Sequence, residues 1–276
     1  MSSRESQRAA TPRQVFGAMV RYYREKAGLS RTELARMICK SVSLVEAIES
    51  GNRAATPQVT GDLEAALSTD GVLPRLRDEM GNGLSSQVFP SWFVDWAFIE
   101  REARILHWFE LVVVPGLLQT EGYARALLAN RIVSSDDTDE IVAARMERQS
   151  ILAREEPPEL WVVMDEAALH RPVGDGLVMR EQLNHLTKAA RSTNVVIQVI
   201  PAAVGVHEGL PGAGFIIADF TDAPQVAYQD TAVRGQVIED SDDIGVLIAT
   251  WDRVRAEALP RKASLELMEE VAESWT

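Results

Sequence analysis

Four histidines, His107, His170, His185 and His207, and a single cysteine, Cys39, carry the readiest acid–base, nucleophilic and metal-binding chemistry in this 276-residue chain. Their spacing gives little of it. None of the histidines falls into a His-Glu-x-x-His pair, a facial metal triad or a nucleophile elbow. Asp165 and Glu166 in "MDE", and His207 and Glu208 in "HEG", stand where strands are expected to end and sites often gather. A loop imidazole or a hydrogen-bonded structural residue is the favoured reading of His207, and a polar pocket joining His207, Glu208 and Asp165 would be needed to favour catalysis. The glycine-rich "GLPGAG" at 209–214 lacks the helix and lysine of a phosphate cradle and reads as a tight turn into a strand. One cysteine excludes an internal disulfide framework, and with so few histidines a structural zinc site is not expected. The reading is therefore no enzyme, no metal and no cofactor.

A second kind of chemistry, hydrogen bonding to another molecule from the start of a helix, is open to "KSVSLVEAIESG" at 40–51. Ser41 is an N-cap, Val45 and Ile48 form one apolar side, and Gly51 ends the helix. The other side carries Val42, Ser43, Glu46 and Ala47, none of them basic. Such a helix reads base edges or only packs, and its neighbours must decide.

Those neighbours are short helices with clear punctuation. Thr11 and Pro12 open one that Gly28 closes, with an expected apolar stripe of Val15, Met19 and Tyr22. Ser30 and Glu33 have capping-box spacing, ahead of inward-facing Leu34, Ala35 and Ile38. Thr56 and Pro57 start a helix that buries Leu63 and Leu67, and a further short helix is expected over Asp70–Met80. The connector between the second and third helices is so brief that they must cross steeply, and Ala35 is small enough to allow close approach. Charge is segregated as well. Residues 1–77 hold 12 Lys/Arg against 8 Asp/Glu, and the remainder 16 against 33, so a chain of net −13 starts with a segment of net +4.

From Leu29 to Arg53 the sequence resembles the lambda-repressor-like (Cro/CI, XRE-type) helix-turn-helix family, through Leu29, Leu34-Ala35, Ser41, Val45, Ile48-Glu49 and Gly51. The resemblance implies a DNA-binding regulator whose third helix enters the major groove. By position it implies that Val42, Ser43 and Ala47 face base edges with Glu46 beside them. It implies phosphate contacts from Ser30, Arg31, Ser50, Asn52 and Arg53, and an ion pair between Arg24 and Glu49; an exposed helix charge is the alternative for Glu49. The chain departs from the family pattern at Val42-Ser43, where many relatives carry Gln, and at Cys39, which replaces a frequent turn glycine. No bidentate base reader is present, so modest direct specificity is expected, completed by dimer spacing, DNA shape or a flexible arm.

After a glycine-rich break, "SWFVDWAFIEREARIL" carries Trp92, Trp96, Ile99, Ala103 and Leu106 in a stripe, read as core or interface packing with a ligand cavity as the alternative. "HWFELVVV" reads as a strand, followed by two helices, the second amphipathic through Ile141, Ala144, Ile151 and Leu152. "ELWVVMD", "GLVMREQLNHLTKAAR" and "NVVIQVIP" make one βαβ unit. "GAGFIIADF" and "PQVAYQD" suit an antiparallel hairpin, with "VRGQVIED" as a further strand and helices at about 242–258 and 264–273. The phrases "VPGLLQTEGYARALL", "ARMERQ", "ELWVVMDEAALHRPVG" and "QVIPAAVGVHEGLPGAGF" resemble a bacterial domain that follows XRE-type modules in antitoxin-like regulators. That resemblance implies self-association and a small partner protein encoded nearby.

The expected organisation is multi-domain. A flexible arm covers 1–10, an all-α helix-turn-helix domain 11–80 and a linker 81–90. An α+β domain with a mixed sheet covers 91–276, for regulation, dimerisation and partner binding. The expected function is sequence-specific regulation of transcription, as a repressor and homodimer on a palindromic operator in double-stranded DNA. The alternative is an interaction antitoxin that sequesters a small partner, with DNA binding secondary. A small-molecule effector is a further expected partner, a membrane is not, and the polar start "MSSRESQRAATPRQ" is read as cytoplasmic.

Overall fold

The structure is a computed structural model describing residues 12–81, 91–129, 135–231 and 235–276. The expected arm, the Thr11 cap and all but the first residue of the expected linker lie outside the described residues. The chain divides into two compact units, Met1–Ser85 with Thr221–Pro224, and Ser86–Phe220 with Gln225–Thr276.

The first unit holds α1 (Pro12–Lys26), α2 (Arg31–Met37), α3 (Val42–Glu49), α4 (Pro57–Leu67) and α5 (Val72–Gly81). Ser30, Ser41 and Thr56 each sit in extended backbone and accept the amide of the third residue on, which starts α2, α3 and α4 where short polar side chains stand. Gly28 and Gly51 follow α1 and α3 with φ of 71° and 75°, the left-handed conformation that glycine adopts without penalty. Leu34, Ala35, Leu44, Val45, Ile48, Leu63 and Leu67 meet in one core.

In α1 the structure corrects the expected stripe. Val15 and Tyr22 are exposed and Met19 is half-buried, whereas Phe16 and Val20 are buried and Tyr23 packs beside them. Apolar residues occupy two adjacent helical lines, 15-19-22 and 16-20-23, so periodicity alone leaves the facing one helical step undecided. Gly17 decides it. A Cβ there would lie 2.2 Å from the carbonyl oxygen of Ile48 and 2.9 Å from that of Glu49, so α1 rests directly on the backbone of α3.

The second unit is built on a six-stranded mixed sheet, with strand order β3-β2-β1-β4-β5-β6. Its strands are β1 (Ile105–Glu110), β2 (Glu159–Asp165), β3 (Val195–Ile200), β4 (Phe215–Asp219), β5 (Val226–Asp230) and β6 (Gly235–Ile238). β1, β2 and β3 are parallel, and β4, β5 and β6 continue antiparallel from the other side of β1. The helices are α6 (Ser91–Glu102), α7 (Glu121–Leu128), α8 (Ser135–Arg148), the single turn α9 (Ala167–His170), α10 (Gly176–Ala189), α11 (Ser241–Glu257) and α12 (Arg261–Ser274).

Alternation along the strands feeds two cores. Leu106, Trp108, Val162, Met164, Ile197 and Tyr228 pack with Trp96 of α6, Leu183 of α10 and Met268 of α12. On the other face Phe109, Val163, Phe215 and Ile217 pack against Ile244, Trp251 and Val254 of α11. The βαβ unit, the hairpin and the added strand all occur. The "HWFELVVV" strand is shorter than read, because it starts at Ile105 and stops at Glu110. α8 likewise ends at Arg148 in a 3₁₀ turn over Gln149–Ala153; of its expected stripe Ile151 is buried and Ile141, Ala144 and Leu152 are half-buried, while Val142 and Arg148 of α8 are buried. Among the described residues no helix is long and apolar enough to cross a membrane.

Gly17→Ala is expected to cost about 1–3 kcal/mol, because the added methyl meets backbone that cannot swing aside. Urea denaturation followed by circular dichroism measures it, with Gly61→Ala inside α4, where nothing stands within 4 Å of an added Cβ, as the comparison expected to stabilise by roughly 0.5–1 kcal/mol.

Candidate nucleic-acid interface

The turn between α2 and α3 is only four residues long, and its geometry follows from local hydrogen bonds. Ser30 and Glu33 complete a reciprocal capping box, with Ser30 N–H and Oγ–H donating to Glu33 Oε2 at 2.8 and 2.7 Å and Glu33 N–H donating to Ser30 Oγ at 3.2 Å. Cys39 takes the left-handed conformation in this turn although it is not glycine. Its φ is 53°, and Lys40 N–H reaches back to the Ala35 carbonyl at 2.9 Å. A left-handed conformation in a residue with a Cβ costs roughly 1–2 kcal/mol, which the surrounding helices offset. Ser41 Oγ then accepts Leu44 N–H at 3.2 Å and lies 3.0 Å from Ser43 Oγ.

The other end of α3 is held by charge. The Glu49 side chain has no exposed surface. It accepts Arg24 Nε, Arg24 Nη2 at 3.1 Å and Arg31 Nε at 2.8 Å, with Arg21 Nε at 3.5 Å. Arg24 also donates to the Leu29 carbonyl at 2.8 Å. Burial alone would push the Glu49 carboxyl up, but the hydrogen bonds from Arg24 and Arg31 outweigh it and hold the group below the usual carboxylate range. One carboxylate on α3 thereby gathers guanidinium groups from α1 and α2. Arg21 and Arg31 keep 45% and 36% of their side-chain surface exposed.

Among the residues expected to meet DNA, Val42 is 41% exposed, and Ser43 and Glu46 are exposed on the same first turn and a half of α3. Ser30, Ser50 and Asn52 are exposed. Arg31 is half-buried, and besides Glu49 its Nη1 lies 3.6 Å from Glu46 Oε1. Two expected contact residues are placed otherwise: Ala47 and Arg53 are each 3% exposed, too little for a base or phosphate contact. Ala47 stands three residues after buried Leu44 and shares its side of the helix. Its carbonyl also accepts Asn52 N–H, Arg53 N–H and Ser50 Oγ–H, so the chain folds back over it. Arg53 opens a buried stretch with Ala54 and Ala55. The sequence reading overlooked Arg21, although its position three residues before Arg24 on α1 puts both on one helix face.

The histidines of the second unit are tied into the fold. Buried His207 accepts Gly209 N–H at Nδ1 (3.2 Å), leaving Nε2 to donate to Asp165 at 3.0 Å. Glu208 pairs instead with exposed Arg253 at 2.7 Å, so the three groups do not converge on a pocket. Gly209 lets this loop close on the sheet, since a Cβ there would stand 2.3 Å from the Phe109 ring. His107 meets Asp219 at 3.0 Å, His170 meets Glu166 at 3.1 Å, and burial on α10 pushes His185 down from its ordinary value. Among the described residues no three His, Cys, Asp or Glu side chains are grouped as metal ligands would be.

Glu49→Gln is expected to destabilise the first unit by about 3 kcal/mol at neutral pH, since it strands buried Arg24 beside a neutral amide. The folded-state pKa is lowered, so the carboxylate's contribution is complete above the unfolded value near 4.5 and is lost as pH falls through the folded value. Urea midpoints of wild type and Glu49→Gln should differ at pH 7 and converge in acid. A constant difference down to pH 2 would show that charge is not what the pair supplies.

Residues 20–70 match the helix-turn-helix family, whose members are DNA-binding regulators, over the stretch that contains α2, α3 and α4. No curated protein matches the chain. No solved structure matches it either. Residues 93–270, well over half the chain and nearly all of the second unit, match a family described as a domain of unknown function, so the chain belongs to the DUF5753 family, here joined to an XRE-type helix-turn-helix region.

Proposed function

We propose that the chain represses transcription as a homodimer on a palindromic operator, laying the first turn of α3 into the major groove. The observation that carries this reading is the exposure of Val42 and Ser43 on a capped helix start, while the far end of the same helix is fixed by Glu49. Val42 would meet a thymine methyl, Ser43 a base edge, and Glu46 a cytosine amino group. The Asn52 side chain would donate to a phosphate, the Ser30 and Ser50 hydroxyls would do so by turning away from Glu33 and the Ala47 carbonyl, and Arg31 and Arg21 would supply guanidinium groups beside them. The acidic second unit would carry self-association and the docking of a small antitoxin-system partner protein. Dimerisation rests on arithmetic: one such module buries roughly 600–1,000 Å² on DNA, whereas two copies present reading helices about 34–36 Å apart.

Sequencing of DNA fragments retained by the purified chain tests the reading. A recovered inverted repeat with half-site centres about 10 base pairs apart is expected. Ser43→Ala should relax preference at one base pair of each half-site by roughly 1 kcal/mol. Arg21→Ala should weaken all sequences alike and reduce the salt slope by about one. A monomer by light scattering at binding concentrations, or retention without any shared motif, would overturn the proposal.

A further inference from the structure

The strongest unassigned feature of the second unit is a cavity of about 700 Å³ beside the sheet, within the usual size range of small-molecule sites. It lies where β1, β4 and β5 meet, because Glu110 ends β1, Gly214 precedes and Phe215 begins β4, and Asp230 ends β5. This is the carboxyl end of the parallel strands, at the place where the strand order turns from parallel to antiparallel. Open α/β sheets hold ligands at such switch points because the connections diverge there and leave a crevice.

Its walls are aromatic. Trp96, Trp108 and Tyr228 line it, with the Trp96 and Tyr228 rings stacked at 5.0 Å. Glu110 also lines it and is largely removed from water, accepting Leu111 N–H at 3.2 Å, the Trp108 indole N–H at 3.5 Å and the Val112 backbone N–H, with no cationic partner hydrogen-bonded to it among the described residues. Asp230 faces the same space and already takes the Tyr228 hydroxyl at 2.5 Å. The arginines of α8 that reach the cavity have partners of their own. Arg148 puts two donors on Glu100 at 2.6 and 2.7 Å, and Arg145 donates to Gln119 at 2.5 Å.

The geometry points to this cavity as a binding site for a small organic cation, an amine or amidine on an apolar or aromatic body, with Glu110 as its anionic partner. The aromatic faces present negative potential toward a cation and a flat apolar surface toward its body. Burial pushes the Glu110 carboxyl up to about 7, hydrogen bonds from Leu111, Trp108 and Val112 work against that, and Asp230 adds to it. An arriving ammonium group replaces the lost solvation and draws off the proton. Affinity should therefore rise with pH and level off once Glu110 is ionised in the free protein. The other charged or titratable groups around Glu110 are Asp230 and Tyr228 from β5, Tyr123 from α7, Arg145 and Arg148 from α8, and Glu100 from α6. DNA binding plays no part in this inference, so either can fail without the other.

Calorimetric titration of the full chain with phenethylamine, 2-phenylethanol and phenylacetate decides it, because the three probes share a body and differ in charge. The amine should bind at least about tenfold more tightly than the alcohol, and phenylacetate should give no saturation up to about 10 mM. Amine affinity should fall about tenfold from pH 8 to pH 6, following ionisation around the Glu110 value of about 7. Glu110→Gln should abolish both the preference for the amine and its pH dependence. Should that variant not fold, Val112→Trp, a half-exposed lining residue enlarged into the cavity, should exclude all three probes while Glu110 stays. Alcohol or carboxylate binding as tight as the amine, amine binding unchanged by either variant, or no heat from any probe would overturn the assignment.

Discussion

Glu49 has no exposed side-chain surface, yet it is charged, and that single burial organises the N-terminal unit. A lone carboxylate in that position would be expelled or protonated. It stays ionised because Arg24 of α1 and Arg31 at the start of α2 both reach it, which ties the two helices flanking α3 to the last residue of α3 itself. Gly17 sets how closely this can happen, since only a residue without a Cβ lets α1 lie on the Ile48 and Glu49 carbonyls. A buried ion pair is weak evidence of net stability, because apolar packing of equal volume does as well. Its use here is geometric. Guanidinium forks accept one arrangement, so the pair fixes the angle at which α3 leaves the bundle and its first turn stands out.

The same interaction resolves the puzzle of charge. The chain is net −13, and the exposed side of α3 carries no lysine or arginine. Guanidinium groups at the proposed interface come instead from the neighbours of Glu49: Arg21, Arg24 and Arg31 face Glu49, with Glu25 also on Arg24 and Glu46 also on Arg31, and Arg21 and Arg31 retain much of their surface exposed. A base-facing helix without cations would then work beside guanidinium donors that α1 and α2 supply.

Much of this was legible in the chain. Caps at Ser30, Ser41 and Thr56, and left-handed glycines at 28 and 51, are short-range features in which the residue type is the physical cause, so the helix boundaries followed directly. The βαβ unit from β2 to β3 and the β4–β5 hairpin were legible for the same reason. The pairing of β1 with both β2 and β4 was not, because it joins strands far apart in sequence and no local pattern encodes that register. The facing of α1 was ambiguous because two apolar lines run side by side, and only Gly17 distinguishes them. Ala47 misled because its place relative to Val42 suggested the reading face, while its place relative to Leu44 put it in the core. Glu110 looked like a lone acid at the end of an apolar strand; its seclusion depends on the sheet that closes round it.

The composition of the exposed turn of α3 also limits how the protein can discriminate among DNA sequences. Val42, Ser43 and Glu46 each offer one contact, and good bidentate pairs, which they cannot form, supply only about 1–3 kcal/mol each. Regulators separate their sites from bulk DNA by roughly 4–10 kcal/mol. One copy of this helix would fall short of the upper part of that range, and the proposed phosphate contacts from Arg21 and Arg31 would not help, since such contacts strengthen right and wrong sequences alike. Two copies on a symmetric site double the base-dependent part, and the fixed distance between half-sites adds a spacing requirement that a random sequence rarely meets. Selectivity would then reside in the geometry of the pair, for which the rigid attachment of α3 through Glu49 is the physical precondition.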